Sequence, residues 1–136
     1  MKEPDEIWIV DDDRGILEVV QIILEESGYK ALQASSKAEL DKLLETGTPS
    51  LFLLDILISG SHGGDIAREL KSNPRTKEIP VIMVSANMHT ENIAREAGAD
   101  GFLLKPFNID DLESMVKKNI RRAQRGQSRK IASQPQ

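Results

Sequence analysis

Five short apolar runs punctuate the chain, at residues 7–10 (IWIV), 29–34 (YKALQA), 51–54 (LFLL), 81–84 (VIMV) and 101–104 (GFLL). The first, third and fourth are apolar at every position. That predicts strands buried on both faces, as at the centre of a parallel sheet. Between the runs the apolar period becomes helical. Residues 14–27 carry Ile16, Leu17, Val20, Ile23 and Leu24 on one face, and Gly28 follows as a stop. Ser36 and Glu39 form a capping box before Leu40, Leu43 and Leu44, and Gly47 ends that helix.

Three further helices complete the alternation. One near 64–72 carries Ile66, Ala67 and Leu70 and ends at Asn73-Pro74. A short, weakly apolar one spans 91–97. The last, at 109–122, carries Ile109, Leu112, Met115, Val116 and Ile120 behind Asn108 as N-cap. The pattern is an α/β single domain, (βα)₅, with a five-stranded parallel sheet between helices on both faces: a three-layer sandwich. Residues 1–5 read as a flexible N-terminus, 6–123 as the domain, and 124–136 as a basic flexible tail or the start of a linker.

Composition narrows the picture. With 136 residues, 39% hydrophobic and 29% charged, the chain suits one globular domain. It has no cysteine, no long apolar run and a polar N-terminus, which together favour a cytoplasmic, non-membrane protein. Of the 18 Lys and Arg, five fall after Ile120, while none of the 22 acids does; residues 1–120 therefore carry −9 although the chain carries −4. An acidic body argues against direct nucleic-acid binding by the domain and suits a site for a cation.

Unusual polar residues stand at the ends of the predicted strands. Asp11, Asp12 and Asp13 follow the first, Asp55 the third, Ser85 the fourth, and Lys105, before Pro106, the fifth. In a parallel sheet these ends share one edge, so distant residues converge there. Carboxylates drawn together repel, and cations must offset them. Lys105 supplies one; Mg²⁺, or Mn²⁺ in its place, is the natural second, because it takes oxygen ligands. A carboxylate beside a metal and a lysine is a good phosphoryl acceptor, with Ser85 and Lys105 able to bind phosphoryl oxygens and small Ala86 leaving room. Plainer readings hold for some residues. Asp13 reads as a helix cap, His62 and His89 as solvated loop residues, and Trp8 as core.

The segments IWIVDDD, LFLLDI, VIMVSA and GFLLKPF resemble the signature segments of the response-regulator receiver (CheY-like) family of two-component systems. The resemblance implies a flavodoxin-like strand order 2-1-3-4-5. It makes Asp55 the acceptor of a phosphoryl group from a sensor histidine kinase or histidine phosphotransfer protein. Asp12, Asp55 and the backbone carbonyl of Leu57 would bind Mg²⁺, with Asp11 acting mainly through water. Lys105 would pair with the phosphoryl group, the Lys105–Pro106 bond would be cis, and Ser85 and Phe102 would form a switch biasing helix 4, strand 5 and helix 5. That makes a self-modifying switch rather than an enzyme with turnover. The downstream effector is unknown, and a phosphorylation-dependent homodimer through the switch face is allowed.

The stretch after Asp55 departs from the family's usual D-x-x-M-P-x-M-D-G: Ser59 replaces proline and His62 replaces aspartate. Gly60, Gly63 and Gly64 suggest a more mobile loop and weaker metal affinity. Apolar Leu57, two residues past Asp55, cannot orient water, so loss of phosphate should be slow. Two alternatives remain: a phosphorylation-independent interaction module, favoured by the altered loop, and a flavodoxin-like nucleotide-binding enzyme. The second lacks a glycine-rich loop after the first strand, where DDDRG stands.

Overall fold

In a computed structural model, residues 3–58 and 60–132 are described, with side chains through Arg125. Five strands, β1 (Glu6–Val10), β2 (Lys30–Ala34), β3 (Leu51–Asp55), β4 (Val81–Ser85) and β5 (Gly101–Leu104), form one parallel sheet in the order β2-β1-β3-β4-β5. The helices are α1 (Arg14–Glu26), α2 (Lys37–Thr46), α3 (Gly63–Ser72), α4 (Glu91–Glu96) and α5 (Ile109–Ala132).

Side-chain alternation along the strands divides the core. Ile7, Ile9, Leu51, Leu53, Ile82 and Val84 pack against Leu17, Val20 and Leu24 of α1 and Leu112, Val116 and Ile120 of α5. Trp8, Val10, Phe52, Leu54, Val81 and Met83 face Leu40 of α2, Ile66, Ala67 and Leu70 of α3, and Ala94 of α4. Trp8 is core, as its sequence context predicts. Its ring meets Phe52 edge-on at 5.8 Å, and its indole N–H donates to Glu6 Oε1 at 2.7 Å.

The helix starts follow the sequence, with one shift. Asp13 caps α1, its Oδ1 accepting from the amides of Gly15 (2.9 Å) and Ile16 (3.2 Å). Asn108 accepts from the Asp111 amide at 2.8 Å. Ser36 caps α2 by accepting from the Glu39 amide, but the Glu39 carboxylate reaches back one residue farther, to the amide and hydroxyl of Ser35.

Both predicted ends of the chain need correction. Asp5 is tied to the sheet: its carbonyl accepts from the Lys30 amide at 3.0 Å and its carboxylate from the Ser50 hydroxyl at 3.1 Å. At the other end α5 does not stop near 122 but continues through Ala132. Apolar periodicity predicts only the packed part of a helix. Residues 123–132 lack that stripe, yet contain mostly fair helix formers and no proline. The remaining predicted flexible residues, 1–2 and 133–136, lie outside the described residues, and so does Ser59. Among the described residues no helix is long and apolar enough to cross a membrane.

Candidate phosphoacceptor and metal site

The sheet ladder fixes the backbone of the site. Beyond the strand ends, the amides of Asp11, Ile56 and Lys105 donate to Ala34, Val84 and Ser85 carbonyls at 3.1, 3.0 and 2.8 Å. Alternation continues the faces: Asp11 follows Ile9, Asp55 follows Leu53, and Lys105 follows Leu103. All three therefore fall on the α1–α5 side of the sheet edge. Ser85 follows Met83 onto the other side.

Asp11, Asp12 and Asp55 each place a carboxylate oxygen within 4.8 Å of the others. Asp11 and Asp55 are buried; Asp12 is exposed. The Lys105 ammonium lies 2.8 Å from Asp11 Oδ2 and 3.4 Å from Asp55 Oδ2. The other Asp11 oxygen accepts from the Asp13 amide at 2.9 Å, so Asp11 also orients the residue that caps α1. Asp55 Oδ1 accepts from the Leu57 amide at 3.3 Å. Burial, then the neighbouring Asp11 charge, raises the Asp55 carboxyl above its ordinary range; Lys105 and the Leu57 amide oppose this only in part. Burial pulls the Lys105 ammonium down, but the hydrogen bond to Asp11 and the charges of Asp11 and Asp55 outweigh it and leave it raised.

This donor set fits a hard divalent cation such as Mg²⁺: all oxygen, densely negative, and short of positive charge. Such an ion would add charge neutralisation beside Asp55. The sequence predicts that Lys105 offsets the converging carboxylates and would bind a phosphoryl oxygen, but not that Asp11 is its nearer partner. Only the register of β1 and β5 about β3 shows that they touch.

Ser85 and Phe102 stand apart from the cluster. The Ser85 hydroxyl accepts from the Asn87 amide at 3.1 Å. Phe102 pairs with Met83, packs on the α4 side, and borders a small cleft with Glu91, Ala94 and Arg95. The Lys105–Pro106 peptide bond is cis.

The loop after Asp55 is a pinned hairpin rather than the loose segment its glycines suggest. Leu57–Ile58 pairs antiparallel with Ser61–His62, and the Gly63 amide donates to the Ile56 carbonyl at 2.7 Å. Gly63 is a packing glycine: a Cβ there would lie 2.3 Å from the Asp55 carbonyl oxygen and 2.6 Å from Ile56 Cα. His62 is not merely solvated. Its Nδ1 accepts from the Gly64 amide at 3.2 Å and caps α3.

A parallel (βα)₅ sandwich with acids and a lysine converging at the carboxyl edge defines a flavodoxin-like protein with a phosphate- or cation-handling edge. The response regulator receiver domain pattern matches residues 7–117, so the chain belongs to the response-regulator receiver family of two-component signalling. It is 36% identical over 124 residues to the phosphate regulon transcriptional regulatory protein PhoB of Pseudomonas aeruginosa, covering 90% of this chain and 54% of that protein. It is 33% identical over 127 residues to the response regulator Rre1 of Synechocystis, covering 91% and 55%. The chain thus spans about half the length of these curated relatives. Among solved structures it resembles a CheY-like receiver domain protein from Methanospirillum hungatei, with TM-score 0.83, 27% identity, and coverage of 90% of this chain and 98% of that one. A putative response regulator from Chloroflexus aurantiacus gives TM-score 0.83 and 28% identity, covering 87% and 98%.

Proposed function

We propose that the chain takes a phosphoryl group on Asp55 in a Mg²⁺-dependent reaction and thereby changes its affinity for a partner. The observation that carries this reading is one lysine spanning two buried carboxylates beside a third acid. In the reaction an Asp55 oxygen attacks phosphorus and the P–N bond of a donor phosphohistidine breaks. The departing ring nitrogen keeps the electron pair. Asp11, Asp12, Asp55 and the Leu57 carbonyl would hold the ion, whose charge offsets that of the transferring group. Lys105 would then move from Asp11 and Asp55 to a phosphoryl oxygen.

Ser85 would turn from the Asn87 amide toward a second phosphoryl oxygen, and Phe102 would follow toward the space it leaves, altering the α4–β5–α5 face. A sensor histidine kinase or phosphotransfer protein would be the donor. An apolar cavity of about 730 Å³ beside Lys105, lined by Ile16, Val19, Ile23, Phe107 and Ile109, offers such a partner a place to rest.

Incubation with Mg²⁺ and acetyl phosphate, followed by intact-mass measurement, tests the assignment. One phosphoryl adduct in the wild type, absent from Asp55→Ala and after chelation, is the expected result. An adduct that persists in Asp55→Ala would refute it.

A further inference from the structure

We propose that the outward face of the middle of α5, residues 118–125, binds the phosphate backbone of a duplex nucleic acid. Lys118, Arg121, Arg122 and Arg125 are all exposed, whereas Leu112, Val116, Asn119 and Ile120 of the same helix are buried. The spacing i, i+3, i+4, i+7 puts the four cations on one face. Every contact within that face is between like charges: 118 with 121 and 122, and 125 with 121 and 122. Each such pair destabilises a helix by a few tenths of a kcal/mol.

Among the described residues no ion pair holds any of the four. The helix dipole favours cations only in the last turn. Because α5 runs to Ala132, Lys118, Arg121 and Arg122 stand more than two turns before its end. Had the helix stopped near 122, the dipole would have accounted for them. No acid follows Glu113, and Arg129 and Lys130 extend the basic run.

The chemistry selects the partner. The four positions span about 10 Å of helix, roughly three axial steps of ~3.4 Å along one DNA strand and so about four phosphates. Three are arginines, which bind phosphate through two parallel N–H bonds. A lipid surface fits less well, because the large apolar residues beside these cations on the helix, Val116 and Ile120, are buried in the core. The acidic body, at −9 through residue 120, confines contact to this face.

Fluorescence anisotropy of a labelled duplex of arbitrary sequence, titrated with the 136-residue chain, tests the proposal. Four phosphate contacts predict an affinity that falls on the order of 10²-fold between about 50 and 200 mM salt. Lys118→Gln or Arg122→Gln should each lower the slope of log affinity against log salt by about one. Lys118→Glu/Arg122→Glu/Arg125→Glu should abolish binding while leaving acetyl-phosphate labelling intact and the melting temperature no lower, which shows that the fold survives. Absence of binding at low salt, or binding that survives the charge reversal, overturns the proposal. So does equal competition by polyglutamate or by anionic vesicles, which would make the face a site for an acidic protein or a membrane.

Discussion

Lys105 stands closer to Asp11 than to Asp55: its ammonium is 2.8 Å from one and 3.4 Å from the other. Without a metal, Lys105 is the cation that lets two buried carboxylates coexist. Lys105→Met keeps much of the side-chain volume but leaves both acids unpaired. Breaking a buried pair in this way should cost about 3 kcal/mol. Urea denaturation in chelator should show that loss, and Mg²⁺ should restore more stability to the variant than to the wild type. A variant as stable as wild type in chelator would mean the pair contributes nothing.

Asp55 carries the opposite sign of effect. Its carboxyl is raised, first by burial and then by Asp11. Between the unfolded and folded values the native state binds more protons than the unfolded state, so stability falls as pH rises through that window. Above it, ionised Asp55 is a net cost. Asp55→Asn should therefore raise the melting temperature of the metal-free protein at pH 7. The advantage should shrink as pH falls below the raised value and the wild-type carboxyl takes up its proton. Lys105, raised from an already alkaline value, stays charged across this range. Thermal melts in chelator from pH 4 to 8 measure the difference. A variant less stable than wild type at pH 7 would contradict the sign.

Two glycines of the acceptor hairpin should respond differently to alanine. At Gly63 the new Cβ would overlap backbone atoms of Asp55 and Ile56, which cannot swing aside as a flexible side chain could. Gly63→Ala should cost about 2 kcal/mol or more and slow labelling of Asp55, because the strain falls on the acceptor itself. Gly60 has φ 74° and open space around it, so Gly60→Ala should cost only about 1 kcal/mol. Equal effects from both would remove the packing argument.

Histidine is an unusual cap for α3. His62→Ala removes the acceptor for the Gly64 amide and should cost about 1 kcal/mol. His62→Asp, which restores the residue usual in the family, should match or exceed wild-type stability, because a carboxylate also suits the positive end of the helix. Chemical denaturation of the three proteins ranks them.

What the sequence revealed follows from what periodicity encodes. Unbroken apolar runs such as LFLL and VIMV mark central strands, and the acids after them mark the edge where ligands gather. Register is not written there, so the direct Asp11–Lys105 contact appears only once β1 and β5 are aligned about β3. Glycine is ambiguous in sequence, because freedom and close approach demand the same residue. At Gly63 the reason is close approach. The end of α5 does not show in the periodicity, because helix beyond the core needs no apolar stripe.

The same edge bears on how long a phosphoryl group would last on Asp55. Leu57 follows the acceptor by two residues, and its apolar side chain is 66% exposed. Asn87 stands two residues past Ser85. Its Oδ1 accepts from the His89 amide at 2.9 Å and is already engaged in capping a turn. Leu57 has no polar side-chain group to hold attacking water in line with phosphorus, and the Asn87 Oδ1 acceptor is already in use. Leu57→Asn should therefore shorten the phospho-lifetime by about tenfold, equivalent to roughly 1.4 kcal/mol of barrier. The variant keeps the Leu57 position's amide donor to Asp55, so the rate of labelling should change less than the rate of loss. Intact mass followed over time after removal of acetyl phosphate separates the two rates. Equal decay in wild type and variant would show that Leu57 does not set the lifetime.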